Sequence, residues 1–222
     1  FVREGAFICV PDGAVVEKPI QILHLSAAGG HDMVTNPRSL VLVGKGSVAT
    51  IIESYASLTD DRYFTNGVTE IVLEPGAILN HYRVQCQSEE AYHIATTHVV
   101  LNQDSTFSSF TLDLGGKLAR NNLHVLLDGE GSSSVLNGIY VATRSQHVDN
   151  QVFVDHAKPH TTSREMYKGI LNGKSRAVFH GSIHVHQNAQ KVDARQENRN
   201  LLLSDQAEAD TKPAFWIYAD DV

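Results

Sequence analysis

The sequence predicts an all-β chain wound as a flattened right-handed parallel β-helix, a solenoid of about seven rungs, and three observations predict it. First, short β-branched runs end in turn clusters again and again: FICVPDG, LVLVGKG, EIVLEPG, HVVLNQD, HVLLDGEG, KGILNGK and NLLLSDQ. Their turns begin near residues 11, 44, 74, 102, 128, 172 and 204, so the spacings of 33, 30, 28, 26, 44 and 32 cluster near thirty with one outlier. Second, weaker turn signals fall about midway, at SAAGGHD, SLTDD, QSEE, LGGK and ATRSQ, giving a strand and a turn about every fifteen residues. Third, similar strand ends recur every two strands, as when one face is built from equivalent positions of successive rungs. THVVLN and LHVLLD would then lie one above the other, with His98 over His124.

Each element follows from the same grammar. Helices are nearly excluded, because Gly, Asn and Asp recur too often for an uninterrupted 3.6-residue stripe; TTSREMYKG, residues 161–169, could form a single helical turn, and little else could. An antiparallel sandwich would need tight two-residue hairpins, which LDGEG and LNGK could also supply. No six-residue period is visible, which disfavours a left-handed hexapeptide helix. The core should be ladders of Val, Ile and Leu from alternate positions, with the intervening polar residues outward. On that pattern Cys9 in FICVP and Cys86 in VQCQ, which alternates with Val84, turn inward as small apolar residues. Beyond about residue 150 the beat slips, and the strand register is not readable there.

The totals narrow the function. The 222 residues read as one domain, 1–222. Eighteen basic against 25 acidic residues leave a formal charge of −7, which argues against a nucleic-acid partner or an anionic membrane surface. Apolar runs such as SLVLVG are far shorter than the ~20 residues needed to span a bilayer. Two cysteines in no CxxC arrangement suit a reducing cytosol, with plastid stroma the other compartment in play. The chain starts at Phe1 without a Met and stops at YADDV, so an excised core of a longer protein is expected.

The densest chemistry is VFHGSIHVHQNAQK, residues 178–191. Strand alternation sends Phe179, Ile183 and Val185 inward and His180, His184 and His186 outward. His184 and His186 then share a face and could hold a cation, given a third ligand from an adjacent rung; His180 completes the candidate metal set. The competing reading is a ladder that stacks and binds nothing. His156 and His160 flank AKP in what reads as a loop. Lys158, Arg164, Lys168 and Lys174 form a loose basic group, either a solvated face or a docking surface for an acidic partner. No nucleotide-binding glycine fingerprint or Gly-x-Ser-x-Gly elbow occurs.

Short motifs stand in order along the last third: Pro159, Ser163, YKG at 167–169, Gly181, AQK at 189–191, Gln196, NLLLS at 200–204, and Thr211 to Pro213. With these the segment from Asp155 to Val222 resembles the SufB/SufD family of iron–sulfur cluster assembly proteins, and its SufD branch most. Upstream, PIQILHL agrees in style. The resemblance implies a right-handed parallel β-helix flanked by N- and C-terminal helical domains. It implies a non-catalytic subunit of a complex with the ATPase SufC, in which SufD and SufB pair through end strands and each binds SufC through its helical C-terminal part. This chain would be the β-helix core alone, with no cofactor of its own, the cluster being handled by the whole complex. Lys191, Gln196 and Asn200 are the candidate partner-interface positions.

Two departures matter. SufB proteins carry a cysteine near the stretch that corresponds to RNLLLS, whereas Arg199 and Asn200 stand there in this chain, so a thiolate for a cluster is lacking at that place. SufD proteins continue into a Cys-Ser-His-Gly segment, expected to follow Val222, and the SufC-docking region would lie outside the chain as well. A core with open strand edges is expected to form a homodimer by itself. Two other functions compete. A carbohydrate-active β-helix enzyme would need converging carboxylates, but Asp60/Asp61, Glu89/Glu90 and Asp220/Asp221 fall in turns or at the end. A metal-binding cupin would use His-x-His with a Glu and a later His; Glu197 could be the first, and no His follows His186.

Overall fold

Left-handed backbone residues set the beat of the chain. Gly13, Gly46, Gly76, Asp104, Gly131, His160 and Lys191 have φ between 54° and 73°, at intervals of 33, 30, 28, 27, 29 and 31 residues. Each sits at one corner of a coil, and its N–H donates to the carbonyl beside the equivalent residue of the next coil: Gly13 to Lys45, Gly46 to Pro75, Gly76 to Gln103, Asp104 to Glu130, Gly131 to Pro159, His160 to Gln190. The corner is thus a hydrogen-bonded column that satisfies the turn backbone without a helix or hairpin. Gly116, Arg144 and Gly173 are left-handed at the opposite corner. The outlying spacing of 44 is explained: the turn at 128 belongs to one corner and that at 172 to the other, one and a half coils on.

The computed structural model describes residues 4–29 and 31–222; Gly30, in the turn read at SAAGGHD, lies outside them. In chain order the strands are β1 (Gly5–Val10), β2 (Ile20–Ser26), β3 (Met33–Thr35), β4 (Arg38–Val43), β5 (Val48–Ser57), β6 (Tyr63–Leu73), β7 (Ile78–Cys86) and β8 (Tyr92–Leu101). They continue as β9 (Thr106–Asp113), β10 (Leu118–Leu127), β11 (Ser133–Ala142), β12 (His147–His156), β13 (Thr162–Leu171), β14 (Arg176–Val185), β15 (Asp193–Leu202) and β16 (Glu208–Ile217). All pairings among the described residues are parallel. One sheet runs β1-β4-β6-β8-β10-β12-β14-β16, with β3 also on β6; the other runs β2-β5-β7-β9-β11-β13-β15. This is a β-solenoid of about seven coils, as the turn spacing predicts. The helical turn open to 161–169 does not form: residues 162–169 belong to β13, held on both sides by β11 and β15.

Inside, the first sheet supplies one aliphatic ladder. Val43, Leu73, Leu101, Leu127 and Val185 follow one another in register, all 1 % exposed or less, and His156 takes its turn in the same column between Leu127 and Val185. His156 is therefore a core residue and not a loop residue. Its ring nitrogens meet Thr161 Oγ1 at 2.7 Å and Ser163 Oγ at 2.9 Å, and burial pushes its pKa down to about 4.

The second sheet, like the first, turns polar residues inward beside apolar ones such as Leu79, Phe107 and Leu171. In β7 it is His81, Arg83 and Gln85 that are buried, while Tyr82, Val84 and Cys86 face out. The expectation of inward cysteines fails here and in β1, since Cys9 and Cys86 are both exposed. The interior polar groups answer one another across coils. Glu53 lies 3.2 Å from His24 Nε2 and 3.2 Å from His81 Nε2 and accepts from Thr69 Oγ1 at 2.9 Å. Burial alone would raise the Glu53 pKa; the hydrogen bonds and charge of His24 and His81 hold it well below the carboxylate range. Arg83 meets His93, Asn121 and, at 3.6 Å, Asp113.

Candidate functional site

Two regions near the C-terminal end carry the residues singled out in the sequence. The first is the outer face of the β12–β14 pair. His180, His184 and His186 do project outward and Phe179, Ile183 and Val185 inward, as alternation requires. Parallel register sets Asp155 of β12 directly beside His184. One oxygen of Asp155 lies 3.2 Å from His184 Nδ1 and 2.7 Å from His186 Nε2. The two imidazoles lie with centroids 4.6 Å apart and planes tilted by 45°, and Tyr218 meets His184 edge-on at 5.4 Å. His180 is elsewhere: its ring is held by Gln151 Oε1 at 3.0 Å and Ser182 Oγ at 3.2 Å. Asp155 is the member that sequence reasoning missed. Its signal was the interval of one coil, 29 residues, before His184.

Further along the same face, His98 and His124 are register partners with ring centroids 6.3 Å apart, and His124 continues onto Phe153 at 5.4 Å. His98 lies over His124 as the sequence places it, but the rings are tilted by 32° and 41° along this column and do not stack face to face. The loose basic group does not gather into a patch. Lys158 lies 3.6 Å from Asp128 and Arg164 pairs with Asp193, while His160 is left-handed and serves the turn column. Of the acidic pairs, Glu89 is engaged by Arg144 and Glu90 by Lys117 at 3.4 Å.

The second region is the last coil, β15 and β16. YKG at 167–169 explains itself here: Tyr167 lies in the core over Gly138, Lys168 is exposed, and Gly169 leaves room for the Tyr140 ring. The Tyr140 hydroxyl donates to Asn200 Oδ1 at 2.5 Å, and Asn200 Nδ2 donates to Asn198 Oδ1 at 2.6 Å. Gln196 lies over Gly181, whose missing Cβ is the space its amide uses. Lys191 stands apart on the turn column, its N–H donating to Asp221 O at 2.6 Å. Of the candidate interface positions, Gln196 and Asn200 therefore share the inner side of the terminal coil and Lys191 its rim.

A parallel β-solenoid with polar groups buried from both sheets, a histidine–carboxylate cluster outside and exposed apolar side chains on its last described coil is the class that fold and sites define. The chain belongs to the SufBD family: residues 24–222 match the family described as SUF system FeS cluster assembly, SufBD core domain. It is 35% identical over 217 residues to the iron–sulfur cluster assembly protein SufD of Escherichia coli, covering 97% of this chain and 51% of that protein. A SufBD family protein of Synechocystis is 33% identical over 229 residues, covering 100% of this chain and 51% of its own length. The Arabidopsis thaliana protein ABCI7, chloroplastic, is 34% identical over 224 residues, covering 97% and 47%. The chain thus spans about half the length of these relatives.

Proposed function

We propose that this chain is the β-solenoid core of a SufD-type, non-catalytic subunit of an iron–sulfur cluster assembly complex, and that its last coil is the face that meets a SufB-like partner. The observation that carries the reading is the state of that coil. Leu202, Phe215 and Ile217 stand in the inward columns that Leu171, Ile183 and Val185 fill one coil earlier. Those three are 0%, 0% and 1% exposed, whereas Leu202, Phe215 and Ile217 are 48%, 46% and 47% exposed. Among the described residues of 1–222, no further layer covers these core positions. Covering the exposed half of each would contribute on the order of 1 kcal/mol apiece. β15 and β16 are also sheet edges with one neighbour each, so their outer backbone groups are available to another strand.

The family supports a strand-edge partner of this kind, and the full-length protein would carry helical domains on either side, the C-terminal one meeting a SufC ATPase. The cluster is cargo of the assembled complex; the last coil offers it no thiolate, since Arg199 and Asn200 hold the place where SufB proteins have a cysteine. Co-expression of the full-length protein with a SufB-like subunit tests the reading. The pair should co-purify, and Phe215→Asp should weaken association at least about tenfold by removing a half-buried aromatic anchor. A full-length protein that does not co-purify with the SufB-like subunit, or a correctly folded Phe215→Asp variant that pairs like the parent, would overturn it.

A further inference from the structure

Outside the last coil, one cluster has the makings of a ligand site that the assembly role does not require. Asp155, His184 and His186 each offer one ligand atom, and those atoms all lie within 4.8 Å of one another. It is the one such group of histidine, cysteine and carboxylate side chains among the described residues. Of the separations from the Asp155 oxygen, 3.2 Å to His184 Nδ1 matches the edge of a coordination polyhedron, and 2.7 Å to His186 Nε2 is a few tenths of an ångström shorter. For ligands at ~2.0–2.2 Å from a metal, neighbouring donors stand roughly 3.0–3.4 Å apart. The third edge, between the two imidazoles, is no longer than 4.8 Å.

The backbone has already fixed the arrangement. His184 and His186 are two apart on one strand and so share a face, and parallel register with β12 sets Asp155 beside His184. The His186 N–H is tied to His156 O at 3.0 Å and the Tyr218 N–H to Val185 O at 3.0 Å, which fixes the strand ends around the cluster. Aromatic groups wall it: Tyr218 against His184 at 5.4 Å, Phe153 at 6.5 Å, and Trp216 as the register partner of His184. The residues before Asp155 in the same outward column, Leu126 and Val100, bring no competing charge.

We propose that Asp155, His184 and His186 form a mononuclear site for a divalent first-row transition ion of the Zn²⁺/Fe²⁺ class, with the remaining coordination positions open to water or a further ligand. Two imidazoles and one carboxylate make a borderline donor set that favours such ions over Mg²⁺ or Ca²⁺, which take oxygen ligands. Three protein ligands leave the site open, where a closed structural zinc would have four. The proposal does not rest on the assembly role. It also divides the three histidines: His180 has no part in it, being held four residues away by Gln151 and Ser182.

Zinc titration of chelator-treated full-length protein by calorimetry tests this, with Co²⁺ absorption as a second probe. One equivalent of Zn²⁺ should bind. Asp155→Asn and His186→Ala should each weaken binding at least about tenfold, a loss no smaller than that for removing an outer-shell partner. His180→Ala should leave it unchanged. Mg²⁺ should not compete. On the unsubstituted protein, where folding of a variant is not in question, Zn²⁺ should move the His184 and His186 ring resonances and leave those of His98 and His124 in place. Absence of stoichiometric binding, binding that survives Asp155→Asn in a folded variant, binding lost with His180→Ala, or equal effects on all histidine rings would each overturn the assignment.

Discussion

Glu165 has an environment at odds with its chemistry. It points into the core from β13, 3% exposed, between Leu136 and Gln196 in its register column, and neither carboxylate oxygen has a hydrogen-bond partner. Burial pushes its pKa up to about 8, against 4.5 for the free side chain. The sign follows from proton counting. Below pH 4.5 the group is protonated folded or unfolded and adds no pH dependence; above it the unfolded chain ionises first, so stability is lost as pH rises towards 8, at about 1.4 kcal/mol per unit. By pH 7 the penalty is on the order of 3 kcal/mol. Glu165→Gln should therefore raise the urea midpoint clearly at pH 8 and hardly at pH 5; an equal gain at both would show that the carboxyl does not titrate in this range. Single residues also mark where sequence reading stops. His184 and His186 could be placed on one face because their relation is local, two positions on one strand. Asp155 could not be joined to them, because that relation is one coil long and depends on a register that turn signals did not supply beyond residue 150.

At the scale of strands and turns, glycine does two jobs that substitutions can separate. At Gly46 a φ of 62° selects glycine, and an added Cβ would meet nothing within 4 Å. At Gly138 the backbone is unexceptional, but an added Cβ would run into the Tyr167 ring. Gly46→Ala should cost about 1–2 kcal/mol, the left-handed penalty alone. Gly138→Ala should cost about 1–3 kcal/mol or more by overpacking a rigid ring, and it should be substantially rescued by Tyr167→Leu. A Gly138→Ala loss that persists unchanged beside Tyr167→Leu would refute the packing account. These two jobs explain what was legible. Turns that need a left-handed residue write glycine or asparagine-like chemistry into the sequence, so the seven-coil beat could be read. Where Arg144, His160 and Lys191 take the left-handed position, the signal faded and the reading changed corners, which produced the interval of 44. Strand facing was harder. A period of two has no direction of its own, and in β7 both faces mix polar and apolar residues, so His81, Arg83 and Gln85 went inside while Val84 and Cys86 went out. Only the neighbouring coils, which bring Glu53, Asn121 and Asp113 to meet those groups, decide the matter.

A stacked coil has two ends, and the ends differ. At the N-terminal end the edges are short, six residues in β1, seven in β2 and three in β3, a length that limits pairing with another chain. At the C-terminal end β15 and β16 run ten residues each. They border Leu201, Leu202 and Leu203 on one sheet and Phe215, Trp216, Ile217 and Tyr218 on the other, all 45% exposed or more. A second copy turned about a two-fold axis could lay its own last coil against this one, pairing edge with edge and covering both apolar rows by the same contact. The 222-residue chain without its natural partner should therefore self-associate through the C-terminal end. Sedimentation over a range of concentrations should show a monomer–dimer equilibrium. Phe215→Asp should move it to monomer, while Leu23→Asp at the other end should leave it alone. Because the contact is mainly apolar, high salt should not dissolve it. A chain that stays monomeric at every concentration would mean that the last coil is covered by something other than a like edge; a dimer sensitive to Leu23→Asp and not to Phe215→Asp would place the contact at the opposite end and remove the ground for assigning the SufB-like partner to this one.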